Sequence, residues 1–478
     1  MTAASWVGIT VRSFGAQKPT SPSKFFHRIM IMVGFFLVVV YFLVLARKGL
    51  TSYFNPDDTT NMYMGWIKPY SHLTYTSFVA LWAGELRPMG TLFYKAIHDI
   101  VGFTPMPFRI ACFAVMVASL RLQRSLYLEL VKPVRFAFLA LIVGCFNGAL
   151  WSIYASTGTV FDVLCEFFVL LALLVYMHMV RLGGRAASWL LFAVSGFTIW
   201  AIQSKEMGYA IPLLLLSYEI CYAIPSGLRD GTALAKLIRS ALVRILPIAA
   251  VGLVGISASV AKSGVLFRDP GYTPKLSWAT YVQSTTAHLT MLFFRAWPLE
   301  EWAAIAILGF SLLLAILLRS REALFGWMFY NAAVAPISIV PARNDGYVLY
   351  IPYIGCALYV AGMAKGIARA AASAASWWSS NRFWSRIPKS VCWLIAAVVV
   401  TVQIYQSNTC VSKGFGPGGE SLVRDMARTA TQKDAGAKLR VILVDDPLGE
   451  RVLAISLHPA VITKCAHARS TAGNFVGR

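Results

Sequence analysis

The sequence predicts an all-α polytopic membrane protein with about eleven transmembrane helices. Of its 478 residues, 58% are hydrophobic, and the mean hydropathy is +0.63, which is too apolar for the exterior of a soluble domain. Apolar stretches of about 18 to 22 residues recur along the chain, and each can cross a hydrocarbon layer roughly 30 Å thick. A membrane domain at 29–407 therefore makes up most of the chain.

The apolar stretches define the expected spans in order. They are predicted at 29–46, 106–126, 134–154, 159–180, 187–203, 207–224, 244–261, 302–318, 323–340, 347–366 and 390–407. A further segment, WATYVQSTTAHLTMLFFRA at 278–296, is polar along one side. It is predicted either to form a twelfth span or to lie at the membrane interface.

The basic residues indicate which side of the membrane each loop occupies. The net charge is +22, but the lysines and arginines concentrate in short loops between the apolar stretches and in the N-terminal arm, as in cytoplasmic loops. All of these basic loops lie on the same side of the membrane only if the segment 278–296 does not cross it. The sequence thus favours an outer-face or re-entrant helix there, a cytoplasmic N-terminus and an outer C-terminus. No nucleic-acid partner is expected.

The regions outside the spans divide the rest of the chain. A polar cytoplasmic arm is predicted at 1–28 and a long first outer loop at 47–105, with short helices at 57–67 and 88–100. Arg47 and Lys48 follow the first apolar stretch without a small-residue cleavage site. That stretch is therefore expected to be a retained signal anchor of a multi-pass protein in the cell's inner or plasma membrane.

The C-terminal tail is less apolar than the rest of the chain. Residues 408–478 are predicted to form a small outer-face α/β appendage, with a helix at GESLVRDMARTATQKDA and strands at LRVILVDD and RVLAISLH. Cys410 and Cys465 fall in this tail. Their positions are compatible either with a disulfide or with two separate thiols.

Two adjacent acidic residues follow the first span. In NPDD, Asn55 suits a helix N-cap, Pro56 the first helical position, and Asp57 and Asp58 the first turn, where carboxylates meet the positive end of the helix dipole. Neighbouring helical residues point about 100° apart, so one carboxylate can face a pocket while the other caps or orients. Capping and a functional role are compatible.

Other ionisable residues concentrate at the same predicted outer face. They are Arg87, Arg109, Asp162, Glu166, Lys205, Glu206, Arg268, Arg343 and Asp345. Ionisable groups at membrane depth are costly and often mark function, so the pattern predicts an outward-facing site.

Several of these groups also have a purely structural explanation. Lys205 and Glu206 suit an interfacial ion pair, and the residues from Arg343 to Gly346 suit a turn. Asp162 and Glu166 lie one helical turn apart, where hydrogen bonds to Ser156 or Thr157 would satisfy them. HExxH, GxSxG, P-loop and CxxC motifs are absent from the sequence, which leaves zinc hydrolases, serine hydrolases and nucleotide hydrolases without support.

Taken in order, five short motifs resemble the glycosyltransferase C superfamily. They are the pair Asp57 and Asp58, RPMGTLFY with GFTPMPFR, FDVLCEFFVLLALL, SKEMGYAIPLLLLSYE and RNDGYVLYIPYIG. The pattern is similar to that of the transmembrane O-mannosyltransferases with tetratricopeptide repeats and of their bacterial relatives without repeats. It departs from them in lacking an arginine before Asp162 and a repeat array after the spans.

The resemblance implies a lipid-linked sugar transfer at the outer face. The donor would be a polyprenyl-phosphate sugar, the acceptor a hydroxyl of a glycan, lipid or protein, and the enzyme a hexosyltransferase that inverts the anomeric centre. Because the phosphate leaves readily, the site needs a base for the acceptor and cations for the phosphate. Asp58 is the expected base, or Asp57 if the register differs.

The remaining site residues receive binding roles under the same resemblance. Arg343 and Lys205 are the first candidates for holding the phosphate, and Arg87 and Arg268 the second, with Glu206 orienting Lys205. Tyr347 is expected to hydrogen-bond the sugar or the phosphate, and Asp162 is a further substrate-binding candidate. The apolar spans and membrane lipids would surround the prenyl tail.

Several alternatives stay open at the level of the sequence. A secondary transporter or lipid flippase would also be polytopic, although such proteins tend to have inverted repeats and ionisable groups near the bilayer midplane. A catalytically silent scaffold is a third class. No cofactor is certain, and a divalent cation remains possible because superfamily members differ in metal use.

Overall fold

A computed structural model of the protein describes residues 22–52, 54, 56–80, 87–102, 104–262, 273–294, 299–340, 345–378, 387–412, 440–445 and 451–456. Nearly all of the described chain is helical. The α-helices of this part are α1 (Pro22–Ala46), α2 (Pro56–Trp66), α3 (Tyr70–Phe78), α4 (Pro88–Val101), α5 (Pro105–Leu130), α6 (Val134–Cys145), α7 (Trp151–Ala155), α8 (Val160–Leu182), α9 (Gly184–Ser204), α10 (Ile211–Tyr218), α11 (Ile224–Arg229), α12 (Leu234–Lys262), α13 (Trp278–Leu292), α14 (Glu301–Leu317), α15 (Arg321–Ser338), α16 (Tyr350–Trp378) and α17 (Ile387–Ser412).

Seven candidate spans lie in the described part of the chain. Each is a helical stretch long and apolar enough to cross a membrane: Phe25–Thr51, Pro105–Leu130, Thr157–Leu182, Ala187–Ser204, Glu206–Arg229, Leu234–Ala261 and Gly346–Ser373. An eighth results if Val134–Cys145 and Gly148–Ala155, which meet at 42°, count as one broken span. The protein is therefore an all-α polytopic membrane protein.

All eleven predicted stretches coincide with helices, but not all of these are candidate spans. The stretch at 134–154 contains the bent pair, and α14, with 17 residues, is a shorter apolar helix. The helices α15 and α17 are outside the seven. The structure therefore supports seven or eight candidate spans, and the full set of eleven stays a prediction.

The segment 278–296, predicted either to cross the membrane or to lie at its interface, forms a short helix. Within 278–296, α13 has 15 residues, which extend about 22 Å, less than the roughly 30 Å of a hydrocarbon core. It is not among the candidate spans of the described chain. This length favours an interfacial helix over a twelfth span.

The boundaries of the terminal regions differ from those predicted. α1 begins at Pro22, so the last residues of the arm predicted at 1–28 are helical, while 1–21 lie outside the described residues. α17 continues to Ser412, past the predicted boundary at 407. Cys410 is consequently buried in a helix, where its Sγ donates to the carbonyl oxygen of Gly148 at 3.6 Å. Cys465 lies outside the described residues.

A two-stranded sheet lies in the C-terminal tail. β1 (Arg440–Asp445) pairs antiparallel with β2 (Arg451–Ser456), and Arg440 is opposite Ser456. Both strands coincide with strand segments predicted from the sequence. The helix predicted at 419–435 lies outside the described residues, so the α/β appendage stays a prediction.

Charged contacts between the long helices form two layers, one near each end of the bundle. In the layer defined here as the basic end, Arg244 of α12 donates from Nε and Nη2 to Glu219 at 2.9 Å, and Tyr176 of α8 donates to the same carboxylate at 2.6 Å. Lys365 of α16 bonds to Glu322 of α15. Asp162, in the first turn of α8, lies 14 positions before Tyr176, which corresponds to about 21 Å along that helix. It belongs to the second layer.

A π-helical turn, Glu219–Ala223, joins α10 to α11 at the basic end. π-Helical turns are uncommon and insert an extra residue into a helix. Here the turn contains Glu219, which is fully buried and neutralised by Arg244. The ion pair thereby links α12 to the turn that follows α10.

The backbones of α15 and α16 approach each other closely because glycines line their contact. A methyl group at Gly355 would lie 2.6 Å from the amide nitrogen of Tyr330, and one at Gly362 would lie 2.3 Å from that of Ala323. Small residues permit such close approach of membrane helices. The contact fixes the start of α16, which lies beside the second polar layer.

We expect Gly355→Leu to reduce the free energy of unfolding by about 2 to 3 kcal/mol, because the added side chain meets backbone atoms that cannot move aside. Thermal unfolding of the detergent-solubilised protein measures the change. The matched control is Gly309→Leu on α14, where a Cβ would have no neighbour within 4 Å. Equal effects of the two substitutions would contradict the close packing of α15 and α16.

Candidate functional site

The loop between α1 and α5 forms one side of the second polar layer. It contains α2, α3 and α4; the positions of α2 and α4 agree with the predicted short helices, whereas α3 is not expected from the sequence. Proline occupies the first position of both α2 and α4, where its missing amide hydrogen costs nothing. The prolines therefore set where Asp58 and Arg87 lie relative to their helices.

Arg87 takes a strained conformation immediately before α4. Its φ of 57° and ψ of 50° lie in the left-handed region, which non-glycine residues rarely adopt and which is often found at functional sites. The ion pair of Arg87 compensates for this strain. Nε and Nη2 donate to Oε1 of Glu206 at 3.0 and 2.6 Å.

The electrostatics of Arg87 reflect this pairing. Burial disfavours the charged guanidinium, but the adjacent Glu206 carboxylate more than offsets burial, and the pKa of Arg87 is raised. Asp162 and Tyr347 are also close enough to act on its charge. Arg87 is therefore a cation that is paired with Glu206 and interacts electrostatically with Asp162.

Lys205 and Asp162 form the most buried ion pair of the layer. Lys205 Nζ donates to Asp162 Oδ2 at 3.0 Å, and the two side chains are 6% and 4% exposed. The ammonium also lies 5.0 Å from the centre of the Tyr347 ring, within range of a cation–π interaction. Lys205 thus has an ion-pair partner on α8 in Asp162, and its orientation by Glu206 stays a prediction.

The break between two helices explains why adjacent residues have different partners. α9 ends at Ser204, Lys205 has an extended backbone (φ −158°, ψ 152°), and a 3₁₀-helix begins at Glu206. Successive side chains in extended chain point to opposite sides. Lys205 accordingly reaches α8, and Glu206 reaches Arg87 at the start of α4.

Tyr347 is positioned by a close backbone contact. It follows Gly346 in a 3₁₀-helix, Gly346–Leu349, and a Cβ at Gly346 would lie 1.9 Å from the carbonyl oxygen of Ala149. Glycine is therefore required for this segment to pack against the residues before α7. The packing brings the Tyr347 ring over Lys205.

Asp58 lies in a second, adjoining group of polar residues. It is fully buried in the first turn of α2, and its Oδ1 accepts a hydrogen bond from the hydroxyl of Tyr94 on α4. Burial and the nearby Asp58 carboxylate raise the pKa of Tyr94 well above its ordinary value. The acid in the first turn is compatible with helix capping, and its contact with Tyr94 adds a tertiary partner.

Arg109 connects the ends of several helices behind Asp58. Its guanidinium is buried and donates to the carbonyl oxygen of Gly49 at 2.8 Å, to Oγ1 of Thr157 at 3.2 Å and to the carbonyl oxygen of Tyr154. Carbonyl groups at helix ends need such donors. Arg109 is close enough to Asp58 for their charges to interact.

Glu166 does not belong to the same contact group as Asp162. It is fully buried one turn further along α8, and its Oε1 accepts from Nε2 of Gln123 at 2.6 Å. The described partners are Lys205 for Asp162 and Gln123 for Glu166.

The structure brings together five of the candidate residues and places a sixth nearby. Arg87, Glu206, Lys205, Asp162 and Tyr347 form one cluster, called here the ion-pair cluster. Tyr94, the partner of Asp58, lies seven positions beyond Arg87, which corresponds to about 10 Å along α4. Arg268, Arg343 and the side chain of Asp57 lie outside the described residues.

Two buried residues of the site have no role assigned from the sequence. Tyr94 is part of RPMGTLFY, and its spacing of seven from Arg87 places both residues on one face of a helix. That spacing is the feature of the sequence from which a position of Tyr94 near the site could have been predicted. No sequence pattern predicts the hydrogen bonds by which Arg109 joins Gly49, Tyr154 and Thr157, since these three partners come from separate parts of the chain.

Within the described residues, no group of three or more histidine, cysteine, aspartate or glutamate side chains is placed to hold a metal ion. Comparison with known proteins adds no family: no family model matches the chain, and no curated protein is significantly similar to it.

We expect Lys205→Met to reduce the free energy of unfolding by about 3 to 5 kcal/mol, because Asp162 would be left as an unpaired buried charge. Denaturant unfolding in detergent measures the loss. Adding Asp162→Asn should restore much of the stability, since the uncompensated charge is removed. Lys48→Met, at an exposed position, is the control. A double variant less stable than Lys205→Met would contradict the ion pair.

Proposed function

We propose that the protein is a membrane glycosyltransferase that moves a sugar from a polyprenyl-phosphate donor to an acceptor hydroxyl. The observation that carries the proposal is the gathering of a buried carboxylate, Asp58, and two buried or half-buried cations, Arg87 and Lys205, at one end of a helical bundle. The resemblance of the sequence motifs to the glycosyltransferase C superfamily supports the same conclusion.

The reaction would proceed in one displacement. The acceptor oxygen attacks the anomeric carbon and gives its proton to a carboxylate, while the bond from that carbon to the phosphate oxygen breaks. Polyprenyl phosphate leaves, and the anomeric centre is inverted. Tyr94, which contacts Asp58, lies about 10 Å along α4 from Arg87, a separation that leaves room for the sugar between the base and the phosphate.

The cations would stabilise the departing phosphate. Arg87 offers a planar guanidinium that binds phosphate oxygens well, and Lys205 offers a compact charge. In this structure each cation is paired with a carboxylate, Glu206 or Asp162. A phosphate that enters the ion-pair cluster can share these cations with the carboxylates. When the site is empty, the carboxylates alone keep both cations paired.

The acidic pair contains two candidates for the base. Asp58 is fully buried, so an acceptor reaches it only when the side chains that cover it move, whereas Asp57 lies one position earlier, about 100° around α2. We assign the base to Asp58 because its carboxylate has a fixed tertiary partner in Tyr94. Asp57 is the alternative.

The topology we propose has eleven spans, with the N-terminus in the cytoplasm and the C-terminus outside. The ion-pair cluster lies at the end of α9, at the start of α8 and before α16, as expected if these helices alternate in direction. Arg181, Arg244 and Lys365 lie at the basic end. The positive-inside rule places that end in the cytoplasm and the candidate site at the outer face.

We expect Asp58→Asn to abolish sugar transfer while the protein stays folded in the membrane, because the amide cannot accept the acceptor's proton. The measurement is mass spectrometry of envelope glycans, glycolipids and glycoproteins in a deletion strain complemented with wild-type or variant genes. Asp99→Asn is the control, since Asp99 lies in the same outer loop and forms partly exposed contacts with Lys95 and His98.

The pattern of losses distinguishes the two candidate bases. Loss of the glycan in Asp57→Asn with retention in Asp58→Asn would move the role to Asp57. Unchanged glycan profiles in both variants, or identical profiles with and without the gene, would contradict a glycosyltransferase.

A labelling experiment tests the topology. Cysteine introduced at Thr51, beside the predicted outer loop, should react in intact cells with a membrane-impermeant thiol reagent, whereas cysteine at Ala233, between α11 and α12, should react only after permeabilisation. Both positions are exposed. The reverse pattern would overturn the orientation.

A further inference from the structure

We propose that Tyr94 is a positioning residue whose hydroxyl holds the Asp58 carboxylate in the orientation in which it accepts the proton of the incoming hydroxyl. The inference rests on the proposed function, because it takes Asp58 as the base. It adds a residue to which the sequence motifs assign no role.

The contact is between two completely buried side chains. Tyr94 and Asp58 are each 0% exposed, and the phenolic hydroxyl donates to Oδ1 of the carboxylate. A hydroxyl buried without a partner would cost about 1 to 3 kcal/mol, and Asp58 supplies the acceptor. The bond restricts rotation of the carboxylate about its terminal torsion, which is intrinsically broad.

Packing holds both partners in place. The Tyr94 ring lies against Phe108 of α5, with ring centres 5.7 Å apart. α2 and α4 also touch through their backbones, because a Cβ at Gly65 would lie 3.2 Å from the carbonyl oxygen of Thr91. The distance between Asp58 and Tyr94 is therefore determined by two helices that cannot separate without losing this contact.

The charges around the pair keep the hydroxyl a donor. Burial and Asp58 raise the pKa of Tyr94 well above its ordinary value, so the phenol stays protonated at physiological pH. Within the part of the chain that the structure describes, Arg109 and Cys112 of α5 are further titratable groups that act on the pair. The described hydrogen bonds of Arg109 go to Gly49, Tyr154 and Thr157, and Tyr94 donates to Asp58 from α4.

The role has a specific kinetic consequence. A hydrogen bond to a carboxylate favours its ionised form, and a base must be ionised to act. Loss of the donor raises the pH at which the base becomes ionised. The activity of a variant without the hydroxyl should then begin to rise at higher pH than that of the wild type.

The test is Tyr94→Phe in the full-length protein purified in detergent. The donor is a short-chain polyprenyl-phosphate mannose, or its glucose or galactose counterpart if mannose gives no turnover, and membranes of the deletion strain supply the acceptor. We expect kcat to fall about 10- to 100-fold, KM for the donor to stay within about twofold, and the acid limb of the pH–rate profile to move to higher pH.

Two further variants separate positioning from folding. Tyr75→Phe on α3 removes an exposed hydroxyl of the same outer loop and should leave rate and profile unchanged. 3-Fluorotyrosine at position 94 keeps the ring and strengthens the donor, so the acid limb should move to lower pH even if Tyr94→Phe proves unstable.

The outcomes also distinguish this inference from the proposed function. If the wild type transfers sugar and Asp58→Asn does not, but the acid limb is unmoved in both position-94 variants, Tyr94 has no positioning role. If the wild type transfers no sugar from any of the three donors, or Asp58→Asn is as active as the wild type, the proposed function itself is wrong.

Discussion

A charge that leaves water must find a partner, and the arrangement of this protein around Lys205 follows from that constraint. An isolated ammonium buried among apolar helices would cost several kcal/mol, and Asp162 on α8 removes that cost. The pairing requires α9 to end where Lys205 begins, and the resulting extended residue sends Glu206 toward Arg87. The two pairs, Lys205 with Asp162 and Glu206 with Arg87, thereby join α8 and the end of α9 to the start of the outer-loop helix α4.

The need to pair buried charges also affects where charged residues lie along the bundle. Among the described residues, ion pairs between helices lie near the two ends of the bundle, and the helices also pack through apolar residues and glycines. In the proposed orientation the two ends have different tasks. The basic end fastens helices together through Arg244 and Lys365, while the other end combines acids and cations with the outer-loop helices, as a reaction site requires.

The sequence predicts the helices well because their information is local. Runs of apolar residues mark the spans, and Pro56 and Pro88 mark the starts of two loop helices. The bend within 134–154 and the helix α3 are missed, since neither interrupts the composition strongly. Pairing is a property of the folded chain: Arg87 finds Glu206 across 119 positions and Lys205 finds Asp162 across 43. The sequence therefore identifies most residues of the site but not their partners.

The location of the ion-pair cluster at one end of the bundle has a consequence for energetics across the bilayer. A transmembrane voltage does work of about 2.3 kcal/mol per 100 mV on each elementary charge that crosses the whole membrane. If a phosphate shares Arg87 and Lys205 with their carboxylates, as the proposed function requires, the exchange stays within one layer, and almost no charge moves through the field. Chemistry at this cluster would run at the same rate in an energised and a de-energised cell, whereas coupled transport of a charged solute would not.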